Sequence, residues 1–121
     1  MAPAPGDALT RATGSGAPGP ARHELPEIDV AALDAARAAD RLLAAARALG
    51  NERWTRYLAH MPDRLRDDPV SELRRVARLA RSAFGPKDSI RDSLPEDATE
   101  PFLAAIDRLL RTLARHELER G

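Results

Sequence analysis

Between Ser71 and Phe84 the chain sorts its residues as only a helix with two faces would require. At about 100° per residue, Leu73, Val76, Ala77, Leu79, Ala80, Ala83 and Phe84 fall on one arc, with Arg74, Arg75, Arg78 and Arg81 on the opposite arc. Gly85-Pro86 then stops the helix, and the polar turn Lys87–Asp92 follows. A helix so divided must bury its apolar arc against neighbours. The rest of the chain has to supply them.

Three further segments carry the same periodicity. Asp29 is placed to cap a helix from Val30 to Leu49 that ends at Gly50, with Ala32, Ala35, Ala36, Ala39, Leu42, Leu43, Ala46 and Leu49 facing inward. Asn51 caps a second helix, in which Trp54, Leu58, Met61 and Leu65 recur at helical spacing. Pro62 interrupts that pattern, which predicts a kinked helix reaching about Arg66. Asp68-Pro69 opens the two-faced helix as cap and first residue. Ser89 and Asp92 stand three apart, the spacing of a reciprocal cap on a short turn. Thr99-Glu100-Pro101 begins a last helix from Glu100 to about Leu118, with Phe102, Leu103, Ala105, Ile106, Leu109, Leu110 and Leu113 as its apolar face. The expectation is an all-α fold, a small and mostly antiparallel bundle of about four helices over residues 25–121. Residues 1–24, rich in Pro, Gly and Ala, read as a disordered tail because they cannot bury enough apolar surface to offset the entropy of ordering.

Composition agrees with helices and thins the core. Hydrophobic residues make up 43% of the chain, but many are alanine, which buries little area. Nineteen basic residues balance nineteen acidic ones, so no global field draws the chain to nucleic acid or an anionic membrane. The absence of cysteine removes thiol and disulfide chemistry and suits a cytoplasmic location. No apolar run approaches the ~20 residues of a membrane span, and the N-terminal segment lacks the pattern of a secretion leader.

Catalytic constellations are not evident. His23, His60 and His116 are separated in the chain, with no His-Glu-x-x-His pair for a metal. Carboxylates gather at Asp63, Asp67 and Asp68 and again at Asp88, Asp92, Glu96, Asp97 and Glu100, on polar turns that suit caps and surface pairing. No phosphate-binding loop is present. The reading is a non-enzymatic chain with no catalytic residues, cofactor or metal.

The basic arc of the two-faced helix is the best binding candidate. Arg74, Arg78 and Arg81 form a line, Arg75 widens it, and Lys87 and Arg91 extend it; Gly85, Ser89 and Asp92 shape the turn beside it. Such a surface would meet an acidic protein partner, with complementary charge steering the encounter. The alternative is a nucleic-acid-associated regulator using the same helix. A third reading sets an acid pair at Asp88 and Asp92 beside a histidine. Trp54 and Tyr57 read as core anchors with a polar edge at the surface. The alanine-rich helices would also support a homodimer, and no membrane partner is expected.

Gly50-Asn51-Glu52-Arg53-Trp54, then Leu58 and Leu65, then Phe84-Gly85 and Ser89-Ile90-Arg91-Asp92 together resemble a family of small bacterial helical domains of unknown function. That family shows an early Trp helix followed by a Phe-Gly turn and a Gly-Ser-x-x-Asp segment. The resemblance spans Gly50 to Asp92. Asp88 stands where the family tends to have glycine, and Pro86 interrupts its glycine-rich turn. What the resemblance implies is a helical bacterial domain without an assigned reaction. Some small domains of this general kind accompany bacterial toxins as antagonists, which would be one form of the interaction role.

Overall fold

A computed structural model describes residues 20–120. Among these the chain forms helices and no strands: α1 (Pro26–Ala48), α2 (Glu52–Leu58), α3 (Met61–Asp67), α4 (Val70–Ser82) and α5 (Glu96–Arg120), with 3-10 turns at Arg22–Glu24 and Ile90–Asp92. The small all-helical bundle read from the sequence is the fold observed. Residues 1–19 of the expected tail lie outside the described residues.

Helix α1 is the packing surface for α5, α3 and α2. Ile28, Ala31, Ala32, Ala35, Ala36, Ala38, Ala39, Leu42, Leu43 and Ala46 are all buried along it. Its alanines let facing helices approach closely, so bulk comes from across the seam: Leu58, Leu65, Leu73, Phe102, Ile106 and Leu109 are fully buried. Cross-helix ion pairs record how the long helices run. Asp34 of α1 meets Arg108 of α5 at 3.3 Å, while the earlier Glu27 meets the later Arg115 at 3.1 Å. Arg74 and Arg81 of α4 likewise meet Glu117 and Asp107 of α5. Both pairs of helices are antiparallel.

Several boundaries differ from expectation, each for a local reason. Helix α1 begins at Pro26, where the missing N–H does no harm, rather than after an Asp29 cap. Asp29 instead accepts from Arg22 Nε at 2.8 Å. The α1 terminus does follow the sequence. Gly50 takes φ 67°, Gly50 N–H donates to Arg47 and Asn51 N–H to Ala46, closing the helix by a Schellman motif. Asn51 Oδ1 then accepts from Trp54 N–H at 3.1 Å, as expected of a cap.

The kinked second helix is in fact two. Pro62 cannot donate to Leu58, and its ring would crowd that carbonyl; α2 ends at Leu58, and the chain turns through Ala59 and His60 before α3. Asp68 does not cap α4. Pro69 holds the capping position, and Asp68 closes α3 and pairs with Arg64 at 3.2 Å. Helix α5 starts a turn earlier than expected, at Glu96, so Pro101 lies inside it. The Asp97 carbonyl that Pro101 leaves without its helical donor belongs to an exposed residue, where water can serve it. Leu49 and Leu79, both assigned inward from the periodicity, are 59% and 43% exposed.

The segment ahead of α1 is fastened by one side chain. Arg22 Nη1 donates to the carbonyls of Leu65 and Asp68, both at 3.0 Å. Leu65 is one of the last residues of α3, whose carbonyls have no donor within the helix. Arg22 therefore caps α3 from a distant part of the chain, and Arg22–Glu24, expected within the tail, belongs to the fold. Arg22→Ala is expected to lower unfolding free energy by about 1–3 kcal/mol, the usual cost of stranding part-buried polar groups. Urea unfolding of the variant against the parent chain measures it. Ala39→Leu should cost about 1–3 kcal/mol by overpacking the α1 seam, read from the same curves.

Candidate functional site

The six basic residues singled out from the sequence divide into two groups. Arg74, Arg81 and Arg91 are engaged with α5: Arg74 with Glu117, Arg81 Nε with Asp107 at 3.0 Å, and Arg91 with Glu100. Arg75 reaches Glu72, one turn back, at 3.8 Å. These pairs are exposed to solvent, which screens them, so they add little to stability. Their main effect is to occupy three cations along the α4–α5 seam. Arg78 and Lys87 are exposed and form no ion pair with another described residue.

Arg74 and Arg81 lie on the edge of α4 that faces α5, Arg78 stands beside them toward the solvent-facing middle of the helix, and Arg75, Leu79 and Ser82 carry the surface round to the other edge as three- and four-residue neighbours. That edge borders α2. Tyr57 Oη donates to the Leu79 carbonyl at 2.6 Å, and Ser82 Oγ donates to the same oxygen. A surface running from Arg75 through Leu79 to Ser82 thus meets α2 at Tyr57, with Arg78 on its solvent side.

Where the two helices meet there is an open recess of about 560 Å³, lined by Arg53, Trp54, Arg56, Tyr57, Ser82, Ala83, Lys87 and Asp88. Trp54 and Tyr57 pack edge to face with centroids 5.2 Å apart. The Arg53 guanidinium lies 4.7 Å from the centre of the Trp54 ring, a cation–π contact. Trp54 is only 4% exposed, and its Nε1–H has no hydrogen-bond acceptor. A second recess of about 570 Å³ lies between α1 and α5, but Arg108 and Arg115 on its wall are already paired with Asp34 and Glu27.

The turn after α4 is held by its backbone. Ile90 N–H donates to the Ala83 carbonyl at 2.9 Å, and Ser89 Oγ accepts from Arg91 N–H at 3.1 Å. The Ser89 half of the expected reciprocal cap forms, but on Arg91 rather than Asp92, and Asp92 is exposed. Gly85 would meet only ordinary contact if a methyl group were added. Asp88, by contrast, has φ 53°. That is left-handed backbone, which glycine adopts without strain and other residues do not.

Arg91 Nε and Nη2 donate to the two oxygens of Glu100 at 2.8 and 3.0 Å. Those hydrogen bonds, with the charge of Arg91 behind them, hold the Glu100 carboxyl below the ordinary glutamate value. Arg91 also lies over the Phe84 ring at 5.5 Å. Asp88 and Asp92, the acid pair considered from the sequence, are both exposed, as are His23 and His60. No group of His, Asp and Glu that could hold a metal occurs among the described residues. Within them no helix is long and apolar enough to cross a membrane.

Arg53, Arg56 and Ser82 were not singled out from the sequence. A partial signal existed for Arg53, which has no acidic residue three or four positions away to pair with. No family model, curated protein or solved structure matches the chain.

Two outcomes check this geometry. Asp88→Gly should leave stability unchanged or raise it by about 0.5–1 kcal/mol, while Asp88→Val should lower it by about 1–2 kcal/mol, because only the β-branched residue resists a positive φ. Arg91→Ala should move the Glu100 titration midpoint upward toward the ordinary value, followed by carboxyl-carbon NMR. Since Glu100 is depressed in the folded chain, its contribution to stability is present above the ordinary glutamate pKa. It fades as pH falls through the lowered one.

Proposed function

We propose that this chain is a non-enzymatic protein-interaction module that meets an acidic partner through the α2-facing edge of α4. The observation that carries the reading is the company Leu79 keeps. An aliphatic side chain that the periodicity assigns to the core instead lies exposed, one turn after Arg75 and next in the chain to the unpaired Arg78, on an edge that leads to Lys87. Arginine beside exposed apolar surface is a common composition for the centre of a protein interface. Unpaired cations around it supply steering and selection of partner. Arg74, Arg81 and Arg91 act in this reading as supports, holding α4 and its turn on α5.

A bacterial domain that antagonises a toxin in the cytoplasm is one form of this role, supported by the resemblance over Gly50 to Asp92 alone. The nucleic-acid reading is the weaker of the two. Glu72, Asp88 and Asp92 interrupt the basic surface, and a phosphodiester backbone favours a continuous one.

Capture from the source cell, with Arg78→Glu combined with Leu79→Asp, tests the surface. Recovery of the parent chain's partner should fall at least tenfold, while Arg111→Glu on α5 leaves it unchanged and circular dichroism shows all variants helical. Equal recovery by every variant would remove the surface from consideration. Steeply salt-dependent binding to duplex DNA at low ionic strength would favour the nucleic-acid role instead.

A further inference from the structure

The recess between α2 and α4 has a chemistry of its own, separate from the edge that leads to it. Its rim holds three cations, Arg53, Arg56 and Lys87, against one carboxylate, Asp88. None of the four forms an ion pair with another described residue. By contrast, most of the arginines on α3, α4 and α5 find acids at close range. The wall is aromatic, made by Trp54 and Tyr57 packed edge to face. Trp54 is 4% exposed and carries an indole N–H with nothing to donate to.

Unpaired guanidinium and ammonium groups on the rim of an aromatic-walled recess call for an anionic group. The size of the recess, about 560 Å³, exceeds what a lone carboxylate fills and suits a short stretch of peptide. Asp88 on the rim and Glu72 on α4 break the positive field. They disfavour an extended polyanion more than a single acidic side chain set among neutral neighbours.

We infer that the Trp54–Lys87 recess is the seat of an acidic side chain, Glu or Asp, from a peptide segment of the partner, clasped by Arg53, Arg56 and Lys87. The inference rests on the interaction role proposed above and specifies what the partner must present. Arg53 is held ready by its contact with the indole face, so less side-chain freedom is lost when the carboxylate arrives.

The chain has a single tryptophan, so one indole N–H resonance reports on this recess. The probe is an acetylated octapeptide of alternating Glu and Gly, titrated into the ¹⁵N-labelled full chain at low salt. The indole resonance should move and saturate, and Arg56→Glu and Lys87→Glu should each weaken the apparent affinity at least tenfold. The matching Gln-Gly peptide should leave the resonance in place, and Arg111→Glu should leave the affinity for the Glu peptide unchanged. An indole resonance indifferent to the Glu peptide overturns the assignment, as does equal weakening by Arg111→Glu. Tighter, saturable movement of the same resonance by an oligothymidylate of equal charge would also overturn it, assigning the recess to phosphate. If the peptide fails while Arg78→Glu with Leu79→Asp still loses the captured partner, the interaction edge stands and this occupant is wrong.

Discussion

The close approach allowed by the alanines of α1 is the constraint from which the remaining structure follows. Alanine contributes little buried area, so a helix lined with it stabilises the fold only if large side chains from several directions press onto it. Phe102, Ile106 and Leu109 do so from α5, and Leu58 and Leu65 from α2 and α3. Contact between α4 and α1 is slight by comparison, and α4 is joined mainly to α5 and α3. That second-layer position leaves one edge of α4 to meet only α2, at Tyr57, while the other is bonded to α5.

Charge is distributed to match. The formal balance of the chain hides a local economy in which arginines of α4 and of the turn after it are matched to acids of α5, on the side where the two helices touch. On the side toward α2 the matching stops: Arg56, Arg78 and Lys87 have no acid, and Arg53 rests on the Trp54 ring instead. A basic arc that looks uniform on a helical wheel is therefore two surfaces of different character. One is cohesive and the other available.

How much of this could be read in advance depended on whether a signal was local. Gly50 and Asn51 could be assigned because a left-handed glycine and a capping side chain act within a few residues. The apolar arcs of α1, α4 and α5 were legible for the same reason. Leu79 and Leu49 were not, since the wheel tells which side a residue is on and not whether anything stands opposite. Pro62 and Pro101 are the same residue type in similar patterns with opposite results. Pro62 ends a helix at Leu58, whereas Pro101 rides within α5 where the affected carbonyl is near solvent. Arg22 sat in a segment with no periodicity at all, and its partners lie more than forty residues away. For the candidate site, Arg78 and Lys87 could not be told from Arg74 and Arg81, since none of the four has an acid at three or four positions and the acids of α5 decide which are paired. The union of α2 and α4 around Trp54 required the fold.

The anchoring of Arg22 has a mechanical consequence. Force applied to the chain ahead of Arg22 would not fall on the first turn of α1 alone. Part of it would be delivered sideways, through one guanidinium, to the carbonyls of Leu65 and Asp68 as well as to the carboxylate of Asp29 in that turn. A tether on that side would therefore load the start of α1 and the junction of α3 with α4 at the same time.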